Sequence, residues 1–157
     1  MKSPNELVDH FRAIGKKVTP QRERIFQILH DNQSHPTAEA VFVELVIEMP
    51  SVSLKTVYQT LSELVELGEI NSLDLGVGAT RFDPNVAGPH HHLVCRACKG
   101  VQDVEFAYPE LPDPVIQRSK FCVEAIELTI RGLCHDCQST LVDLSTQDQQ
   151  SNIYPIK

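Results

Sequence analysis

The amino-acid sequence predicts an α+β fold in which a helical N-terminal half is followed by a smaller, strand-rich C-terminal half. Three observations carry this reading. Apolar residues recur at helical spacing from residue 5 to residue 67, the period shortens to two from Glu69 onward, and two C-x-x-C pairs, Cys95/Cys98 and Cys134/Cys137, bracket most of the second half.

The first helix, residues 5–14, places Leu7, Val8, Phe11 and Ile14 on one stripe and stops at Gly15. In the second, Thr19 is the N-cap, Pro20 suits the first helical position, and Ile25, Ile28 and Leu29 supply the buried face. His35-Pro36 breaks the chain. Thr37 caps a third helix with Glu39 in its first turn and Ala40, Val41, Leu45 and Val46 expected inside, and Pro50 ends it. Ser53 caps a fourth helix, residues 54–67, with Val57, Leu61, Leu64 and Val65 apolar and Gly68 as its stop. Ile70, Leu73 and Leu75 then read as a strand, 76–78 as a turn and 80–82 as the returning strand. Helices followed by a two-stranded hairpin describe a winged helix-turn-helix, with residues 54–67 as the helix offered to a major groove. The plainer alternative is a small helical core domain with an appended hairpin.

Turn formers from Asp83-Pro84-Asn85 to Gly88-Pro89 mark a hinge. Beyond it, 93–95 and 101–105 read as strands joined by a Cys95 to Cys98 knuckle. A loop at 109–114 and a short helix at 115–120 come next, and a half-buried strand at 122–131 delivers Cys134 and Cys137. Leu141, Val142 and Leu144 suggest another short helix, and the remainder is polar enough to be a loose tail. Cys122, at the start of a strand-like run, reads as a small buried apolar residue.

With 157 residues the chain can bury a good core, but 6% aromatic content and no Trp make a metal-supported smaller half plausible. The N-terminus lacks the apolar segment of a signal peptide, and no apolar run approaches the roughly 20 residues that span a bilayer, so we expect a cytoplasmic protein with no membrane partner. Five cysteines suit a reducing compartment better than a disulfide framework. The net charge of −7 does not exclude nucleic acid, because Arg12, Lys16, Lys17, Arg22 and Arg24 cluster between Phe11 and Ile25.

Residues 90–103, HHHLVCRACKGVQD, feed two metal sites. The thiolates of Cys95 and Cys98 are half of a tetrahedral zinc site, and Cys134 and Cys137 supply the other half. The wide spacing means that zinc would staple the two ends of a small α+β domain. A thiol redox pair is disfavoured because neither C-x-x-C opens a helix in a βαβ context, and a zinc deaminase because its H-x-E partner is missing. Strand alternation puts His90 and His92 on one face and His91 on the other. The first two need harder partners, and Asp103, Asp83 and His35 are candidates. His135, between two thiolates, should be solvated.

The run of TPQRERI, HPTAE, SLKTVYQTL, RFD, HHHLVCRAC, VQD and CHDC resembles the Fur family of metal-dependent bacterial repressors, from about Val18 to Cys137. The resemblance implies a winged helix-turn-helix DNA-binding domain (1–83), a hinge (84–89), a small α/β dimerisation and metal-binding domain with a four-cysteine zinc site (90–145) and a flexible tail (146–157). It implies a homodimer on an inverted-repeat, double-stranded DNA operator and no enzymatic activity. It also implies structural zinc at Cys95, Cys98, Cys134 and Cys137, and a regulatory metal at His35, Asp83, His90, His92 and Asp103. Three imidazoles and two carboxylates without sulfur suit Fe(II) or Mn(II), with room for a further ligand. Asp83 resembles the peroxide-sensing PerR branch, whereas the iron-uptake branch usually carries Glu there. A further family metal site is not expected, because Ile126 and Pro89 stand where its ligands would be; His91 and Glu110 align with parts of it and read only as polar residues.

The expected DNA face comprises Ser53, Lys55, Thr56, Tyr58, Gln59 and Thr60, with Thr19 and Arg22 as phosphate positioners. The family usually has Arg at the Gln59 position. Iron- and zinc-uptake repressors are the alternatives within the family, and a metalloenzyme or thiol redox protein is the alternative outside it.

Overall fold

The computed structural model describes residues 1–76, 78–106, 122 and 126–140. Four helices come first: α1 (Pro4–Ala13), α2 (Pro20–Leu29), α3 (Ala38–Glu48) and α4 (Leu54–Glu66). Each starts where a hydroxyl satisfies an amide that the first turn leaves unpaired. Ser3, Thr19, Thr37 and Ser53 accept from the N–H three residues on, and Glu6 completes a capping box with Ser3 that the sequence reading does not include.

The helices close one core, in which Phe11, Ile25, Phe26, Leu29, Val41, Leu45, Val57, Leu61 and Leu64 are fully buried and Ile70 and Phe82 seal one side. Two expectations fail on helical phase. Ala38, Val41 and Leu45 form the buried line of α3, so Ala40 faces solvent. Thr60 lies one turn from both Val57 and Leu64 and is therefore buried, its hydroxyl donating to the Thr56 carbonyl at 2.8 Å rather than facing outward.

Strands β1 (Asn71–Leu73) and β2 (Arg81–Asp83) pair antiparallel, with Asn71 opposite Asp83, and complete the winged helix-turn-helix. The base of this wing carries a feature that composition hides. Glu69 is 3% exposed, and its carboxylate accepts from the side chain and backbone N–H of Lys2 and lies 3.5 Å from His10 Nδ1, which docks α1 against the start of the hairpin.

The second sheet has the order β4-β3-β5, with β3 at His91–Cys95, β4 at Val101–Val104 and β5 at Thr129–Gly132. β3 and β4 are antiparallel, whereas β5 runs parallel to β3 with His92 opposite Thr129 and Cys95 opposite Gly132. The strand expected at 122–131 is thus shorter among the described residues. Cys122 is exposed, which corrects the expectation of a buried thiol. Residues 135–140 are helical. The expected helices at 115–120 and around Leu141, the tail and Glu110 lie outside the described residues.

A small second core of Leu73, Leu75, Val94 and Val101 joins the wing to this sheet. Arg81 donates to the Lys99 carbonyl at 2.9 Å and Arg131 to the Leu75 carbonyl at 2.5 Å, so polar bonds cross the same boundary, while Arg81 also bonds the His35 carbonyl at 3.2 Å within the first half and the Met1 amine the Pro84 carbonyl of the hinge at 2.9 Å. With Leu61 fully buried, Leu61→Ala should cost about 2–5 kcal/mol of unfolding free energy. Ile47→Ala, at a position 76% exposed, should change it by less than about 0.5 kcal/mol, both read by denaturant unfolding followed by circular dichroism.

Candidate metal centres and nucleic-acid interface

The four sulfurs of Cys95, Cys98, Cys134 and Cys137 lie within 4.8 Å of one another. Cys95 ends β3, and the chain turns tightly through a left-handed Lys99, φ +63°, so that the Gly100 N–H points at Cys98 Sγ at 3.4 Å. The Arg96 N–H bonds the Gly132 carbonyl at 2.8 Å and brings the end of β5 alongside, where the Cys134 N–H points at Cys95 Sγ at 3.4 Å. Cys98 and Cys134 sulfurs are 3.8 Å apart, and a zinc tetrahedron with Zn–S near 2.3 Å has edges of about 3.8 Å. The backbone N–H of Cys134, with those of Cys98 and Ala97, lowers the Cys95 thiol to about 6, while sharing with Cys134 and its neighbours pushes Cys137 up to about 12. A metal ion binding such a thiol set displaces its protons. His135 stands outside it, 94% exposed as expected.

The second cluster is sulfur-free. His35, His90, His92 and Asp103 offer ligand atoms within 4.8 Å of one another. Asp83 adjoins them, its oxygens 3.0 Å from His90 Nε2, 3.5 Å from His35 Nε2 and 3.9 Å from His92 Nε2. His90 and His92 share one face of the chain as it runs through β3, Asp103 sits opposite His92 on β4, and Asp83 ends β2. His35 is aimed by strained backbone: it precedes a proline yet has φ +49°, a region that costs a non-glycine residue about 1–3 kcal/mol. His91 points away, is 3% exposed and packs against the Phe106 ring with centroids 4.5 Å apart.

The hydrogen bonds select the ligand atoms. His35 Nδ1 faces the Gln33 carbonyl at 3.1 Å and His90 Nδ1 the Gly88 carbonyl at 3.0 Å, and since a carbonyl only accepts, these nitrogens carry protons and leave Nε2 for the cluster. Among the described residues, His35 Nε2, His92 Nε2 and Asp103 Oδ1 are buried without an aligned hydrogen-bond partner, although His35 Nε2 and Asp103 Oδ1 are only 2.7 Å apart. Lone pairs aimed at one another in this way fit a central cation. Burial lowers the His92 pKa, assisted by the charges of His90 and His35. Burial also opposes charge on His90, but the Gly88 carbonyl and the Asp103 and Asp83 carboxylates outweigh it and raise that pKa. Burial works against ionisation of Asp103 and is outweighed by the Asn85 amide and the three imidazoles, which lower it.

On the helical half, Ser53 caps α4 and its hydroxyl meets that of Thr56 at 2.9 Å, with Lys55 exposed beside them. Tyr58 is 42% exposed and donates to Glu39 at 2.6 Å. Gln59 is exposed, with its amide donating to Glu63 at 3.2 Å. Glu63 also accepts from Arg22 at 2.8 Å and lies 3.4 Å from Lys16, and Arg22 bonds the Lys17 carbonyl at 2.9 Å over the Phe11 ring. The Arg22 side chain is therefore only 12% exposed, and Thr19 serves as the α2 cap. Arg24 is paired with Glu48 at 2.7 Å, so much of the basic cluster is neutralised within the fold. The partners of Glu39, Glu63 and Asn85 are not legible in the sequence, because these contacts span 18 to 41 residues.

These observations agree with the comparisons. The profile of the ferric uptake regulator family matches residues 13–131. The chain is 37% identical over 126 residues to the ferric uptake regulation protein of Bacillus subtilis, which covers 77% of this chain and 85% of that one. It is 32% identical over 138 residues to the peroxide-responsive repressor PerR of Staphylococcus aureus, covering 85% and 90% of the two chains. The structure of the Helicobacter pylori ferric uptake regulator superposes with a TM-score of 0.70 over 85% of this chain and 90% of that one, a likeness of fold at 21% identity. Since the profile runs from the end of α1 into β5 and both relatives extend over more than three quarters of the sequence, the protein belongs to the ferric uptake regulator family.

Proposed function

We propose that the protein is a metal-dependent, DNA-binding transcriptional repressor, acting in the cytoplasm as a homodimer on an inverted-repeat operator, and that its regulatory site senses hydrogen peroxide. The observation that carries this is the convergence of His35, Asp83, His90, His92 and Asp103 where the winged helix meets the β4-β3-β5 sheet. Residues 1–83 are the DNA-binding unit, 84–89 the hinge and 90–145 the dimerisation unit, with 146–157 as a tail. Cys95, Cys98, Cys134 and Cys137 hold structural zinc. The five histidine and aspartate ligands hold Fe(II) or Mn(II). Leu128 and Ile130, 39% and 44% exposed, are apolar side chains that a second subunit would cover.

His35 and Asp83 belong to the DNA-binding unit and its edge, whereas His90, His92 and Asp103 belong to the other. Tying all five to one centre fixes the angle between the units, and in a two-fold dimer that angle sets the separation of the two α4 helices. Moving the heads from mostly open to mostly closed takes about 5.5 kcal/mol of differential affinity, which five ligands can supply. Ser53, Lys55, Thr56, Tyr58 and Gln59 face the major groove, and Thr19 and Arg22 stand at the phosphate end of the interface. Fe(II) held by these five residues would supply the reducing power that activates peroxide, which Mn(II) would supply far less readily. One oxygen atom of the peroxide would add to the ring of His35 or His90 while the other leaves as water, and because an oxygenated ring is a poorer donor the tie would loosen. Asp83 favours the peroxide reading; 37% identity to a ferric uptake regulation protein favours iron sensing as the second reading.

Two outcomes test this. Cys134→Ser should abolish stoichiometric zinc and unfold or monomerise the second unit, because binding energy at such a site is folding energy; zinc analysis with gel filtration reads it, and a zinc-free folded dimer would contradict it. Peroxide should release DNA from the Fe(II) form but not the Mn(II) form, with one added oxygen atom on a His35 or His90 peptide by mass spectrometry. Intact histidines on a DNA-bound, peroxide-treated Fe(II) form would replace peroxide sensing by iron sensing.

A further inference from the structure

Among the described contacts of the sulfur-free cluster, those of Asn85 reach both carboxylates. Its backbone N–H donates to Asp83 Oδ1 at 2.8 Å, and its side-chain Nδ2 donates to Asp103 Oδ2 at 2.8 Å. Each bond leaves the carboxylate's other oxygen to the imidazoles. Asp83 Oδ2 is left 3.0 Å from His90 Nε2, and Asp103 Oδ1 is left 2.7 Å from His35 Nε2. A carboxylate with one oxygen anchored offers the other as a single ligand atom in a fixed direction.

The amide orientation is forced by its partners. A carboxylate accepts only, so Nδ2 must face Asp103, and Asn85 Oδ1 is then free to accept the Ala87 N–H at 3.4 Å. Asp103 is also the ligand that most needs anchoring. Its side chain is 27% exposed, whereas those of His35, Asp83, His90 and His92 are 1–6% exposed and held by packing. The backbone bond to Asp83 survives any substitution that keeps the turn, so the side chain's separate contribution is the bond to β4.

We propose that Asn85 is a positioning residue for the regulatory metal: its side-chain amide fixes which oxygen Asp103 presents and thereby sets the affinity and coordination of the bound ion. The proposal deepens the reading of this cluster as a metal site and rests on it. It also makes the hinge part of the metal's surroundings, since the donor lies between the last strand of the wing and β3.

The test uses the full zinc-loaded chain, with Mn(II) and Co(II) as probes. In Asn85→Ala, Mn(II) affinity should fall by about ten- to a hundredfold, the range seen when such outer partners are removed, and the visible Co(II) spectrum should change as Asp103 is released. Asn85→Asp, which keeps the shape but loses the donor, should weaken Mn(II) binding as well, and Asn85→Gln, which keeps the donor on a longer arm, should recover part of the loss. Zinc content and the melting temperature of the chain without Mn(II) should match the wild type. Mn(II) affinity within about threefold of wild type with an unchanged Co(II) spectrum would overturn the proposal, as would equal losses of melting temperature with and without Mn(II). A wild-type chain that binds neither ion would overturn the parent reading itself, a result distinct from any difference among the Asn85 variants.

Discussion

Three imidazoles and two carboxylates converge where water hardly reaches, and burying that many polar atoms costs free energy unless something binds them. The fold nevertheless invests in the arrangement. His35 is held in a left-handed conformation before a proline, Nδ1 of His35 and of His90 faces a backbone carbonyl, and Asn85 holds one oxygen of each carboxylate. These constraints come from the α2–α3 connection, the wing, the hinge and two strands of the second sheet. An ion bound there would be held by both halves, and its binding energy would be available to set their relative position.

The four-cysteine cluster answers a different need. Among the described residues the second core contains four buried apolar side chains, against fifteen in the first. Sulfurs drawn from the end of β3, its knuckle and the segment after β5 compensate by joining the two ends of the sheet, and the parallel β3–β5 pairing is what brings them together. On the proposed function, one cluster would maintain the second half and the other would couple it to the first. Hard and soft donors are separated by the pleat and the length of a single strand: His90 immediately precedes it, His92 lies near its start and Cys95 at its end.

Charge on the helical half is arranged more tightly than composition suggests. Arg22, Lys16 and Gln59 all meet Glu63, Tyr58 is held by Glu39, and Glu69 anchors Lys2. For the proposed DNA interface this means that α4 presents side chains already oriented by acids of the same fold. Less entropy is lost when such side chains bind, and an acid beneath them penalises contacts that would need the same donors.

Local chemistry was legible in the sequence. Thr19, Thr37 and Ser53 start helices because a hydroxyl caps amides three residues away, and the C-x-x-C spacing and strand alternation at 90–95 depend only on neighbouring residues. The winged-helix order and the membership of both clusters followed from such signals together with the family resemblance. Helical phase is legible only approximately, so Ala40 reads as buried and Thr60 as outward-facing, the reverse of their positions in the fold. What tertiary structure alone decided are the long-range partners: the parallel strand that carries Cys134 to Cys95, the exposure of Cys122, the burial of His91 against Phe106, and the bonds of Glu63, Glu69 and Asn85. An acid or amide carries no mark of the residue it will meet dozens of positions away, because its partner is set by how packed elements cross and not by the periodicity of its own segment.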